Sequence, residues 1–323
     1  NGAAMDGDEG CGTARTGAGD IFNSPENSAI ADLTASMLDQ GTVQRDKFAV
    51  AELLEQTGAT LSFGTSSHTL NFSAKCLSKD VSKVVGLLAE QLRGPRFDPE
   101  EFAKVKKQLA GRFRRSLEDT DFRADSAFNR AVFPENHPNR PPQGDRYLAD
   151  IESATLEDLK AFHAACYGPS SLRIVVVGDV EEASLGEAVV GAFRGWTGGK
   201  AYAPASRAPA LGSGKTENVS MPGKTSVSVV IGQPSGLQHR DSEHLACSMG
   251  TAAFGSGFFS ARLLDIIRNR VNGLGVAETE VKRDGDQIVV DLPGVKDRDK
   301  ARRIVGKTAE LQFRPVVNVI GVP

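Results

Sequence analysis

The sequence predicts an α+β fold with an antiparallel or mixed sheet, and three observations carry that reading. Leu70, Phe72, Ala74 and Cys76 alternate with Asn71, Ser73 and Lys75, the period of a half-buried strand. The flanking stretches repeat apolar residues at helical spacing. The segments follow one another as helix, hairpin, long helices, strand and helix, an order that suits helices packed on a sheet.

Taken in order, Ser28 to Gln40 places Ile30, Leu33, Met37 and Leu38 on one helix face, and Gly41 ends it. Lys47 to Thr57 is a second helix stopped by Gly58, a residue suited to the left-handed cap. Ala59 to Ser66 and the alternating strand from Leu70 form a hairpin around Ser66-Ser67. Asp80 to Arg93 is amphipathic, with Val81, Val84, Val85, Leu88 and Leu92 inward. Helices follow from after Pro99 to about Leu117 and from Asp121 to Phe133, then a Pro- and Asn-rich loop over Pro134 to Gly144. Thr155 caps a helix that runs to Cys166. Leu172 to Val177 is expected as a buried strand and Glu181 to Phe193 as a helix. Thr197 to Lys215 has the Gly, Pro, Ala and Ser content of a linker. Beyond it lie a strand through Thr225, Val227, Val229 and Ile231, and helices over Arg240 to Phe254 and Phe258 to Asn269. The last part holds a strand at Ile288 to Val290, a charged helix from Asp297 to Val305 and a strand from Thr308 to Phe313.

Composition narrows the function classes. The 323 residues are 40% hydrophobic and 24% charged, with 38 basic residues against 41 acidic, so no global field attracts nucleic acid or anionic lipid. No run approaches the roughly 20 apolar residues of a membrane helix. Asn1 to Gly19 carries no basic-then-apolar export signal, and a chain starting at Asn1 is expected to lack its true start. Cys11, Cys76, Cys166 and Cys247 never form Cys-x-x-Cys, which offers neither a zinc knuckle nor a dithiol motif.

Catalytic motifs are sparse. His239 and His244 flank Glu243, but five residues apart on a helix they sit about 140° apart around the axis, whereas ligands four apart share a face. Solvated polar residues are the plainer reading. Gly255-Ser256-Gly257 lacks a phosphate-loop lysine, and no Gly-x-Ser-x-Gly occurs. Lys104, Lys106, Lys107, Arg112, Arg114 and Arg115 read as a solvated helix face rather than an acidic-partner surface.

A family resemblance rests on ordered blocks. Gly19-Asp20-Ile21-Phe22-Asn23-Ser24-Pro25-Glu26-Asn27, then Ala31 to Thr42, Leu53 to Ala59 and Phe97 to Phe102 come first. His137-Pro138 with Gly144, Phe162-His163, Tyr167-Gly168-Pro169 and Val175 to Val180 follow. From Thr13 to about Arg268 the chain resembles the pitrilysin/insulinase-type (inverzincin) metallopeptidases. The resemblance implies an α+β roll repeated in tandem, with zinc held by His-x-x-Glu-His and a later Glu. The matching positions here are Asp32, Ala35 and Ser36, and no Asp or Glu lies between Glu101 and Glu118. Zinc is therefore expected for the family and not for this chain, whose catalytic and metal residues are none. In non-catalytic relatives an Arg and a Tyr of the second copy contact substrate. Arg262 is the candidate substrate-binding residue, and no Tyr follows Tyr202.

Ile267 to Glu278, Ile288 to Val295, Ala301 to Gly306 and Thr308 to Arg314 resemble the first periplasmic domain of the export protein SecD, over about residues 266 to 315. The expected organisation is a complete roll at 1–196, a linker at 197–215, a truncated second roll at 216–268, a SecD-like fragment at 269–315 and an unassigned tail at 316–323. The second roll should then leave an unpaired edge near Thr225 to Gly232. The resemblances imply an inactive peptidase homologue that binds peptide or an active partner subunit. The alternatives are an endopeptidase active only with a partner chain and a SecD-like translocation component. Both resemblances suggest a bacterial envelope or periplasmic setting.

Overall fold

A computed structural model describes residues 9–200 except 136 and 138, residues 216–255 except 225, 231, 233, 234, 239 and 240, and residues 280–291 except 285 and 286. The linker residues 201–215, Arg262, the helices expected at 258–269 and 297–305, the strand at 308–313 and the tail lie outside the described residues. The chain divides into two compact units: residues 1–116 with 135–207, and residues 117–134 with 208–323.

In the first unit, β1 (Glu9–Thr16), β2 (Thr60–Thr65), β3 (Leu70–Leu77) and β4 (Arg173–Val177) form one antiparallel sheet in the order β2-β3-β1-β4. The hairpin β2–β3 turns over Ser66 to Thr69, with Ser66 N–H donating to the Thr69 carbonyl at 2.8 Å. β3 buries Leu70, Phe72 and Cys76 and exposes Asn71, Ser73 and Lys75, as its alternation requires. β1 pairs with β3 over its full length and with β4 through Cys11 to Arg15. Sequence reading assigned no strand there.

The helices cover the apolar face. α1 (Ile30–Met37) buries Ile30, Leu33 and Met37 completely or nearly so, with Leu38 at its C-cap. α2 (Lys47–Thr57) starts at Asp46, whose carboxylate accepts from Ala49 N–H at 2.8 Å, and ends at Gly58 with φ +59°. α3 (Val81–Arg93) sends Val81, Val84 and Val85 against Ala59, Cys76 and Leu185, while Leu88 and Leu92 join the main core. Each such burial stabilises by about 1.5–3 kcal/mol. α4 (Pro99–Leu117) begins with Pro at its first turn, and Asp98 accepts from Glu100 N–H at 2.9 Å.

α6 (Gly144–Ser153) lies where no element was expected, and it locks the start of α1. Asp150, 6% exposed, accepts from Ser28 N–H at 2.9 Å and from Ser28 Oγ at 2.6 Å, while its carbonyl takes Asn27 Nδ2 at 2.8 Å. α7 (Leu156–Cys166) opens with a reciprocal Thr155–Asp158 capping box. α8 (Glu182–Phe193) packs Leu185 and Val189 on α3.

Two expectations need correction here. β4 is the edge strand of the sheet among the described residues and is covered on one face only: Ile174 packs on the core, while Val175 is 57% and Val177 61% exposed on the other face. The basic face of α4 is only partly solvated. Lys106 Nζ donates to the Glu152 and Ala154 carbonyls at 2.7 and 2.9 Å, and Arg114 meets Glu152 at 3.1 Å, so these cations stitch α4 to the end of α6.

The second unit holds α5 (Thr120–Val132), α9 (His244–Gly255) and a sheet of β5 (Ser228–Val229), β6 (Glu280–Asp284) and β7 (Gln287–Asp291) in the order β5-β7-β6. β5 stands at the end of that order: Ser228 and Val229 lie opposite Asp291 and Val290 of β7 on one side, and among the described residues no strand pairs with the other, so the segment expected as an unpaired edge near Thr225 to Gly232 is paired on one side only.

Candidate functional site

The α1 residues at the family's zinc positions sit at the centre of the first unit. Asp32 is half-buried, Ala35 is 4% exposed and Ser36 is half-buried. Both oxygens of Asp32 are engaged: Thr65 at the end of β2 donates its hydroxyl to one, and Tyr147 of α6 donates to the other. Phe113 of α4 packs on the Tyr147 ring, with centroids 4.6 Å apart. Three elements, α1, β2 and α6, thus meet at one carboxylate held by two hydroxyl donors, with α4 packed behind Tyr147.

Asp20 adds a second carboxylate. It belongs to a short 3-10 turn, Asp20–Phe22, that docks on the hairpin through Asp20 N–H to the Ser66 carbonyl at 3.1 Å and Ile21 N–H to Ser67 at 2.9 Å. Gly19 permits this contact, because a Cβ there would come under 3.0 Å from the backbone of Ser66, His68 and Thr69. One Asp20 oxygen is buried without a hydrogen-bond partner. Burial first, and the Asp32 charge second, push the Asp20 carboxyl up to about 7. Burial, with Asp32 for Tyr147 and with Cys166 and then Asp32 for Tyr167, also pushes both tyrosine hydroxyls upward, so both stay protonated; Tyr147 donates to Asp32, whereas the buried Tyr167 hydroxyl has no hydrogen-bond partner.

Beside this cluster, Tyr167 packs at a tilt of 33° against His163 with centroids 4.6 Å apart, and His163 Nε2 lies 2.8 Å from the Leu92 carbonyl. Desolvation lowers the His163 pKa, opposed by that hydrogen bond, so the ring is a packing element and a backbone donor.

These residues do not fit zinc. A catalytic zinc takes about three protein ligands plus an open position. Asp32 is committed to two hydroxyl donors, Ala35 has no donor atom, Ser36 is a neutral alcohol, and Phe113 contributes a ring where α4 approaches. Among the described residues no group of three His, Cys, Asp or Glu is placed to hold a metal. Glu243 and His244 stand at the start of α9, while His239 and Arg262 lie outside the described residues.

Asp32, Ala35 and Ser36, named in advance at the family's zinc positions, are gathered at this cluster, and Asp20 and Tyr167 join them from two other family blocks to which no role was attached. Thr65 and Tyr147 belong to no block. Their one signal is chemical, since buried polar side chains require partners.

An α+β roll with this altered centre defines a peptidase-like scaffold, and the comparisons with known proteins agree. Residues 16–131 match the insulinase family (peptidase family M16), and residues 153–277 match the M16 inactive domain. This part of the chain belongs to the insulinase (M16) peptidase family. Residues 260–318 match the N-terminal P1 domain of the SecDF translocase subunit.

The fold resembles a peptidase M16 inactive domain from Pseudomonas fluorescens, with TM-score 0.76 and 20% identity, covering 94% of this chain and 74% of that one. It also resembles a protease from Helicobacter pylori, with TM-score 0.70 and 16% identity, covering 95% and 77%. The ferredoxin protease FusC, solved in complex with Arabidopsis ferredoxin, gives TM-score 0.61 and 13% identity, covering 93% of this chain and 33% of that one. Protein translocase subunit SecD of Escherichia coli K12 is 57% identical over 54 residues, which are 16% of this chain and 9% of that protein. The SecD of Pseudomonas aeruginosa is 60% identical over 52 residues, 16% of this chain and 8% of that protein. No described helix is long and apolar enough to cross a membrane.

Proposed function

We propose that this chain is a non-catalytic M16 homologue that binds extended polypeptide, either alone or as the partner subunit of an active zinc peptidase. The observation that carries the reading is the engagement of Asp32 by Thr65 and Tyr147, which leaves the zinc position as a closed hydroxyl–carboxylate cluster. Among the described residues no ligand set for a metal-activated water stands there, and the reading is therefore one of recognition.

The sheet supplies a surface for it. β2 ends at Thr65, beside the cluster, and among the described residues no strand pairs with its side away from β3. A row of free backbone N–H and C=O groups is a template for an extended chain, with main-chain hydrogen bonds giving affinity and little sequence preference. A fold-related protease solved with a protein bound supports polypeptide as the ligand class.

Fluorescent unstructured ten-residue peptides test this by anisotropy. Binding should be weakened at least tenfold when alternate peptide amides are N-methylated in the phase that faces the strand, and the opposite phase should bind as well as the parent. Equal binding by both methylated phases, or none by the parent, contradicts strand addition.

A further inference from the structure

The sheet of the second unit joins two families in one hydrogen-bonded ladder. β5, Ser228–Val229, lies within the segment matched by the M16 inactive domain, which ends at residue 277. β7, Gln287–Asp291, lies beyond it and inside the SecD-matched segment. The two pair antiparallel, Ser228 opposite Asp291 and Val229 opposite Val290, and β6 pairs with the far side of β7 from Glu280–Asp291 to Asp284–Gln287.

We propose that the SecD-like hairpin β6–β7 is the strand donor of the second M16 roll, closing in cis a sheet edge that the shortened domain leaves open. A two-residue strand cannot satisfy its backbone groups by itself, and a buried N–H or C=O left unpaired is destabilising. β5 is already fixed on its own side of the fold: Ser228 Oγ donates to Asp121 Oδ1 at 2.6 Å and meets Thr120 Oγ1 at 2.8 Å, at the start of α5. What β5 lacks is a lateral partner, and β7 supplies one.

The sequences of the hairpin suit the two roles. Gln-Ile-Val-Val-Asp is β-branched through its middle, as a strand flanked on both sides should be. Glu-Val-Lys-Arg-Asp, the outer strand, is charged at four of five positions, which discourages any further strand from adding beyond it. The pair therefore completes the β5 edge and ends the sheet at the same time. In this arrangement the SecD-like segment works as a structural complement of the peptidase-like part, independently of whether the first unit binds peptide.

Cysteine pairs in the full chain test the register. Directly opposite antiparallel pairs alternate between wide and close spacing, so one of V229C with V290C and S228C with D291C has the closer geometry. With Cys247 replaced by Ser, at least one pair should form a disulfide, mapped by mass spectrometry in the monomer, while the out-of-register pair V229C with I288C should not. Failure of both in-register pairs, or equal closure of the control, overturns the proposal.

Amide exchange on V290P gives a second reading that does not depend on disulfide geometry. Exchange at Ser228 and Val229 should rise at least tenfold while the α1 amides keep their protection. Unchanged exchange at Ser228 and Val229 also overturns it.

Discussion

Gly168→Ala should destabilise the first unit by about 3 kcal/mol or more, lowering its Tm by roughly 6–12 °C. Gly168 follows Tyr167 where the chain leaves α7, and there it crosses the backbone of Gly198 and Gly199. A Cβ on Gly168 would lie under 3.0 Å from the Gly198 carbonyl group and the Gly199 nitrogen, and these are backbone atoms that cannot swing aside as a side-chain end would. The φ of Gly168 is ordinary extended backbone, so the cost is steric rather than conformational.

The crossing is further pinned by Ser170 Oγ donating to the Gly198 carbonyl at 2.6 Å and Lys200 N–H donating to Cys166 at 3.2 Å. Separating the two backbones would therefore also break these bonds and disturb Tyr167, which is 3% exposed. Gly186→Ala is the matched control. Its Cβ meets nothing within 4 Å on α8, and an exposed helical Gly to Ala change should stabilise by about 0.5–1 kcal/mol. Thermal melts of the two variants should move in opposite directions.

Asp32→Ala should cost about 2–4 kcal/mol at pH 5, because it strands the Thr65 and Tyr147 hydroxyls without their acceptor in a half-buried site. The pH dependence of that loss follows from Asp20. Its folded carboxyl stands at about 7 against an ordinary 3.8, so between these values the folded state holds a proton that the unfolded state has released. Stability contributed by protonated Asp20 is full below about pH 4 and is lost as pH rises through about 7.

Removing the Asp32 charge takes away the second cause of that shift and leaves burial, the larger one. The variant should thus lose less stability than wild type between pH 4 and pH 8, and the difference between the two proteins should be smaller at pH 8 than at pH 5. Urea midpoints across this range check it. A difference that grows with pH contradicts the coupling of the two carboxylates.

Much of the first unit was legible in the sequence because its elements announce themselves locally. Periodicity placed Ile30, Leu33, Met37 and Leu38 on one buried face, Gly58 marked a left-handed cap, and Thr155 marked a helix start. β1 was not legible. Glu-Gly-Cys-Gly-Thr-Ala-Arg-Thr has two glycines and little β-branched content, and what makes it a central strand is its pairing with β3 and β4, which are distant in sequence.

α6 was missed for a related reason, since its buried residues are a tyrosine, an aspartate and one isoleucine whose purpose is to face α1. Likewise β4 reads as a buried run of valines but lies at the edge of the sheet, which local sequence cannot tell. At the site, the family blocks pointed to Asp32, Ala35 and Ser36, yet they carried no information on what Asp32 does instead of its expected role. That depended on Thr65 and Tyr147, 33 and 115 residues away.

We propose that the zinc position of this M16 chain is a polar cluster without catalytic function. The most direct measurement is zinc content by elemental mass spectrometry on the dialysed full chain after incubation with zinc, with unstructured peptides followed for cleavage in the same sample. Well under one zinc per chain and intact peptides are the expected result. One tightly held zinc per chain, with cleavage that a chelator abolishes, would contradict it.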